Sequence, residues 1–117
     1  MFFHDILQQK MDAYVHFIYK VSRSFPREEL YGVTSQIRRA SLSVILNYLE
    51  GYARQRRAVF LNFLQIAYGS LKESKYLIKF SRDENYLSDS DYQQGIELAD
   101  EIGAMLWRTI KKIEMDQ

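Results

Sequence analysis

Residues 33–54 read VTSQIRRASLSVILNYLEGYAR, and the spacing of their apolar residues decides the fold. At ~100° per residue, Val33, Ile37, Ala40, Val44 and Tyr48 share one face of a helix. Leu42, Ile45, Leu46, Leu49 and Ala53 share the opposite face, and Gln36, Arg39, Ser43, Asn47, Glu50 and Arg54 form a narrow strip between the two. A helix apolar on two sides needs cover on both, so it is expected deep in a bundle or against another subunit. Leu42, Ile45, Leu46 and Leu49 are accordingly the expected contact of a homo-oligomer; packing of the same face on the first helix is the simpler alternative.

The chain on either side has the same helical grammar. Leu7, Met11, Tyr14, Ile18 and Val21 form one stripe of a helix over about 3–23, which ends before Phe25-Pro26 because a residue preceding proline avoids helical backbone. Glu28 and Glu29 suit a first turn after Pro26, and Gly32 offers a bend or cap before the helix of about 33–54, whose last turn Gly51 is expected to loosen. A third helix, about 56–83, repeats Phe60, Phe63 or Leu64, Ala67, Leu71 and Ile78. Ser88 with Asp91 resembles a capping box opening a fourth, about 89–115, with Tyr92, Ile96, Ala99, Gly103, Leu106, Ile110 and Ile113 in a seven-residue repeat. Sustained strand alternation is absent, so residues 1–117 are expected to form a single all-α domain, an antiparallel up-down four-helix bundle.

Composition agrees. With 117 residues, 47% hydrophobic and 26% charged, the chain is a globular domain and not a disordered one. It has no Cys, so disulfides, thiolate nucleophiles and Cys-ligated zinc are excluded. No segment reaches the ~20 apolar residues of a membrane span and the start lacks a secretory signal, which sets the expectation of a cytoplasmic protein. The net charge of +1 hides an asymmetry: residues 38–82 hold nine basic and two acidic side chains, residues 83–101 seven acidic and no basic ones. Attraction between neighbouring helix surfaces explains this in one way, a basic face for a polyanion in another.

Enzymatic readings find little support. A di-iron bundle needs Glu-x-x-His pairs, but His16 follows Ala13 by three positions and His4 follows Met1. Two histidines also leave Ser-His-Asp chemistry short of a base, and the five glycines are too scattered for a phosphate loop; Gly69 and Gly103 suggest close helix packing instead. Glu97, Asp100 and Glu101 read as a solvated face. Asn47, Glu50 and Glu73 read as a polar network that sets helix register. No catalytic residue, metal or cofactor is therefore expected. The cations fall into groups, Arg38 with Arg39, Arg54 with Arg56 and Arg57, and Lys72, Lys75 and Lys79 near Gln65 and Tyr68. Arginine forks suit phosphate oxygens, and a tyrosine can stack on an unpaired base.

The run Phe25-Pro26-Arg27-Glu28-Glu29-Leu30-Tyr31-Gly32-Val33-Thr34-Ser35-Gln36-Ile37-Arg38-Arg39-Ala40, with Ser43, Asn47, Glu50-Gly51, Phe60, Phe63-Leu64, Ala67, Gly69-Ser70-Leu71 and Glu73, resembles the four-helix bundle proteins encoded within 23S rRNA intervening sequences. The resemblance covers about half the chain. It implies a bacterial protein without established catalysis, assembled as a ring-like homo-oligomer, a pentamer, and related in fold to accessory proteins that bind nucleic acid and assist a reverse transcriptase. Ile45 stands where the family commonly has Pro, Leu46 where it has a small or polar residue, and Leu49 where it has Ala. Losing the Pro is expected to straighten the helix, and the two leucines to enlarge its second apolar face. The expectation is a non-enzymatic oligomer that binds structured RNA, or an RNA–protein assembly, through Arg38, Arg39, Arg54, Arg56, Arg57, Lys72, Lys75 and Lys79. The alternative is a scaffold or adaptor for a protein partner, including a reverse transcriptase.

Overall fold

A computed structural model describes residues 2–116, all helix and connection, with no strand among them. The helices are α1 (Phe3–Ser22), α2 (Val33–Ala53), α3 (Arg57–Asp83) and α4 (Asp89–Met115), with a short 3-10 turn at Arg27–Glu29. These bounds lie within a residue of those expected at every end. At ~1.5 Å per residue the 27-residue α3 and α4 are about 40 Å long, which sets the 46 Å long axis of the molecule.

Local chemistry explains where the helices stop. Tyr86 N–H donates to Ser81 O and Asn85 N–H to Arg82 O, both at 2.8–2.9 Å, and Asn85 takes φ of 64°, so α3 ends in a Schellman motif with Asn at the left-handed position. Ser88 Oγ then accepts from Asp91 N–H at 3.1 Å and starts α4, as the Ser88–Asp91 spacing suggested. The start of α2 uses Glu29 from outside the helix: Oε1 accepts from Val33 N–H at 3.2 Å, while Oε2 accepts from the Tyr86 hydroxyl at 2.9 Å. One carboxylate thus ties the α1–α2 connection to the α3–α4 connection.

Each helix packs on two neighbours, α1 on α2 and α4, and α3 on α2 and α4. The stripe of α1 is buried throughout, as are Ile37, Ala40, Val44 and Tyr48 of α2, and Leu64, Ala67, Leu71 and Ile78 of α3. Ile102 and Met105 of α4 join them, although the seven-residue repeat passes them over, while Tyr92 and Ile96 are half-buried. Each fully buried side chain of this size contributes about 1.5–3 kcal/mol. Tyr14 lies at the centre; its hydroxyl donates to Ser74 Oγ at 2.7 Å, since Ser74 spends its own proton on Leu71 O at 2.8 Å. Burial drives the Tyr14 phenol far above the usual tyrosine range.

Glycine placement corrects two expectations. Gly51 does not loosen a helix end: it is buried where α3 crosses α2, and a Cβ there would come within 2.5 Å of Phe63 Cβ. Gly69 is the reverse, exposed with open space around it, so it marks no close packing. Gly95 meets Phe17 and Ile78, and Gly103 has only an ordinary contact with Leu71.

Candidate nucleic-acid interface

The eight expected cations do not form one patch. Arg39 and Arg54 are fifteen residues apart on α2, about 22 Å at ~1.5 Å per residue, well beyond the ~8 Å Debye length at physiological salt. Four of the eight are neutralised in place. Arg54 pairs with Glu50 on its own helix, Arg57 with Asp116 at 2.8 Å, Lys75 with Asp100 at 2.6 Å and Lys79 with Asp83 at 2.9 Å. Their hydrogen bond raises the affinity of Lys79 for its proton and lowers that of Asp83, so both stay charged. Lys75–Asp100 bridges α3 and α4, the attraction between neighbouring helices that the charge asymmetry suggested.

The other four differ among themselves. Arg38 is half-buried; its Nε donates to Ser22 Oγ at 2.8 Å and its guanidinium lies 4.8 Å from the centre of the Tyr19 ring, so it helps hold α1 to α2. Arg39, Arg56 and Lys72 are exposed, with no ion-pair partner among the described residues.

Asn47, Glu50 and Glu73 do not meet in one network. Asn47 Nδ2 donates to Ser43 O and Oγ at 2.8 and 2.9 Å, and Ser43 Oγ meets Ser70 Oγ at 2.8 Å across to α3. Glu73 accepts from Gln36, and Glu50 from Arg54. The reason is direction: α3 runs back along α2, so Glu73 lies level with Gln36 while Glu50 lies near the level of Gly51 and Phe63, at the far end.

The outer face of α2 is uncovered in the single chain. Leu46 is 58% and Leu49 36% exposed, Leu42 is half-buried, and Ile45 alone of the four packs on the core, at a groove shared with Asp5, Gln8, Gln9 and Asp12 of α1. α1 therefore does not provide the missing cover.

Two arrangements escaped sequence reasoning. His4 Nδ1 lies 2.7 Å from the Tyr48 hydroxyl, with the imidazole stacked 3.7 Å from Tyr52. Burial, aided by Tyr52 and Asp5, pushes the Tyr48 phenol up to about 12. His16 is exposed beside Asp12, and no three potential metal-ligating side chains gather among the described residues. The second is a row of cations over aromatic rings along α3 and α4: Lys72 lies 5.2 Å from the centre of Tyr68, Lys111 4.2 Å from Trp107 and Arg82 3.9 Å from Tyr92, with Tyr68 and Trp107 5.6 Å apart. The three- and four-residue spacing of Tyr68, Lys72, Lys75 and Lys79 signalled half of this row; its other half lies on α4, which no local pattern connects.

No described helix is long and apolar enough to cross a membrane. A family model described as 23S rRNA-intervening sequence protein matches residues 5–108. A crystal structure of a protein of unknown function from the S23 ribosomal protein family of Bacteroides thetaiotaomicron VPI-5482 superposes with a TM-score of 0.86, covering 94% of this chain and 99% of that one at 23% identity, a likeness of fold. No curated protein matches the chain.

Proposed function

Because the chain belongs to the 23S rRNA-intervening sequence protein family, we propose that it is a non-enzymatic, oligomeric helical bundle that binds structured RNA, or an RNA–protein assembly, through cations at its surface. The observation that carries this reading is the exposure of Arg39, Arg56 and Lys72 without carboxylate partners among the described residues. Spread over the length of the bundle, they suit the repeating phosphates of a polyanion better than a compact ligand. Arg54, Arg57, Lys75 and Lys79 are secondary contacts, each of which exchanges a carboxylate for a phosphate, and Arg38 serves chiefly to hold the helices. The reading sets the protein in the bacterial cytoplasm, beside ribosomal RNA.

Side-chain pairs such as His4–Tyr48, Gln36–Glu73, Arg57–Asp116 and Lys10–Glu101 support an antiparallel up-down order for the four helices. The exposed Leu46 and Leu49, with half-buried Leu42, support a ring-like homo-oligomer, a pentamer by family resemblance, while Ile45 serves the chain's own core. Such a ring repeats three weak phosphate contacts around its axis and raises avidity without any new one.

Salt titration of a labelled hairpin RNA tests the reading. Three phosphate contacts per protomer give a slope of roughly −0.9 each, so affinity per protomer drops roughly fortyfold between about 50 and 200 mM salt. Replacing Arg39, Arg56 and Lys72 together by Ala should abolish most of that slope. Binding indifferent to salt, or undiminished in the triple variant, refutes the proposal. The bare Leu46 and Leu49 favour a second reading, a scaffold for a protein partner such as a reverse transcriptase, whose apolar docking on α2 would barely respond to salt.

A further inference from the structure

Resting on the RNA-binding reading, we propose that the groove between α3 and α4 seats unpaired nucleotides of single-stranded RNA, with Trp107 and Tyr68 as stacking platform and Lys72 as the phosphate contact. The groove, about 340 Å³, is lined by Tyr68, Lys72 and Lys75 from α3 and Asp100, Gly103 and Trp107 from α4. It continues past Tyr76, Lys79 and Tyr92. Gly103 keeps its floor low. Trp107, the only tryptophan of the chain, is 47% exposed here, although a ring of that size would contribute more to stability inside the core.

The chemistry fits a strand with exposed bases. Every base has a π-face, so aromatic platforms take any sequence, and the flexible lysines that lie over the ring faces in the free protein swing aside to meet the phosphates of the nucleotide that stacks there. Tyr68 to Lys79 spans eleven residues of α3, about 17 Å, or about five nucleotides at ~3.4 Å each. A duplex presents backbone and not base faces, and its bases do not reach a groove between two helices. Because Lys75 and Lys79 already hold Asp100 and Asp83, Lys72 provides most of the charge, and single-strand binding is less salt-dependent than binding of structured RNA.

Trp107 fluorescence reads the groove directly. Titrating the full chain with a short oligouridine should quench it saturably, whereas an abasic phosphodiester of the same length should not. Tyr68→Leu should weaken the oligouridine roughly five- to 140-fold, the range for losing one stacked base. Lys72→Ala, at an exposed position that leaves folding intact, should weaken it several-fold. A hairpin RNA that binds by anisotropy while oligouridine leaves Trp107 unchanged overturns the groove and leaves the wider reading standing. Equal affinity for the abasic chain does the same. Absence of binding to either RNA at low salt overturns both.

Discussion

The same substitution at two helix-interior glycines is expected to act in opposite directions. At Gly69, an added Cβ has nothing within 4 Å, so Gly69→Ala gains the helix propensity of alanine alone, about 0.4–1 kcal/mol. At Gly51 that gain is offset by contact: the new methyl would be 2.5 Å from Phe63 Cβ and 3.1 Å from Phe60 Cδ1. To reach an ordinary carbon–carbon separation of about 3.5–4.0 Å, α2 and α3 must part by about 1 Å. Phe63 Cβ is fixed to the backbone and cannot swing aside, and Tyr48, which packs edge-on against Phe60, loses contact as the helices separate. Overpacking of this kind costs about 1–3 kcal/mol, so Gly51→Ala should be net destabilising, by up to about 2.5 kcal/mol. Urea unfolding followed by helical circular dichroism, at one protomer concentration because an oligomer couples stability to concentration, measures both. A stabilised Gly51→Ala, or a destabilised Gly69→Ala, would refute the assignment of close and open helix surfaces.

Other outcomes follow from single contacts. Gln55, between α2 and α3, takes φ of 61°, where a Cβ costs about 1–2 kcal/mol; after the entropy cost of glycine, Gln55→Gly should raise stability by about 0.5–1 kcal/mol in the same unfolding assay. Glu29→Ala removes the acceptor at the start of α2 and the partner of Tyr86, and should cost about 1–2 kcal/mol, whereas exposed Glu28→Ala should stay within about 0.5 kcal/mol of the parent. Burial raises the Tyr48 phenol from 10.0 to about 12, so the unfolded chain ionises first: this contribution to stability is complete below pH 10 and is lost as pH rises through 12. Unfolding midpoints across that window should fall less steeply in Tyr48→Phe. Leu46→Glu with Leu49→Glu should leave the helical content of the chain intact and shift sedimentation from oligomer to monomer; an unchanged particle mass would remove the outer face of α2 from the subunit contact.

The core stripes of α1, α2 and α3 were legible in the sequence because burial there follows the helical period: every residue expected from α1, from Leu7 to Val21, is inside. α4 was read less well. A strict seven-residue repeat follows one seam, yet α4 meets both α1 and α3, and the wider stripe this requires includes Ile102 and Met105. Glycines were the least legible, since whether a missing side chain admits a neighbour depends on the neighbour. The helical period puts Gly51 in register with Val33 and Val44 on the core face of α2 and Gly69 opposite the Leu64 and Leu71 stripe of α3, but how closely Phe63 and Phe60 approach Gly51 was set only by packing.

The candidate site divides along the same line. Which residues carry positive charge is a property of the chain, and so is their grouping by three and four along α3. Whether a charge is available is a property of the fold: Lys75 and Lys72 are one turn apart, but only Lys75 lies opposite an aspartate of α4. The two apolar faces of α2 were likewise set by composition and period, because a helix converts spacing into direction without outside help. That no other helix of the same chain covers its outer face, that Glu29 caps a helix it does not belong to, and that Trp107 comes beside Tyr68 were decided only by tertiary packing. Contacts between residues far apart in the chain depend on how whole helices rotate and cross, and that balance is settled over the entire core at once.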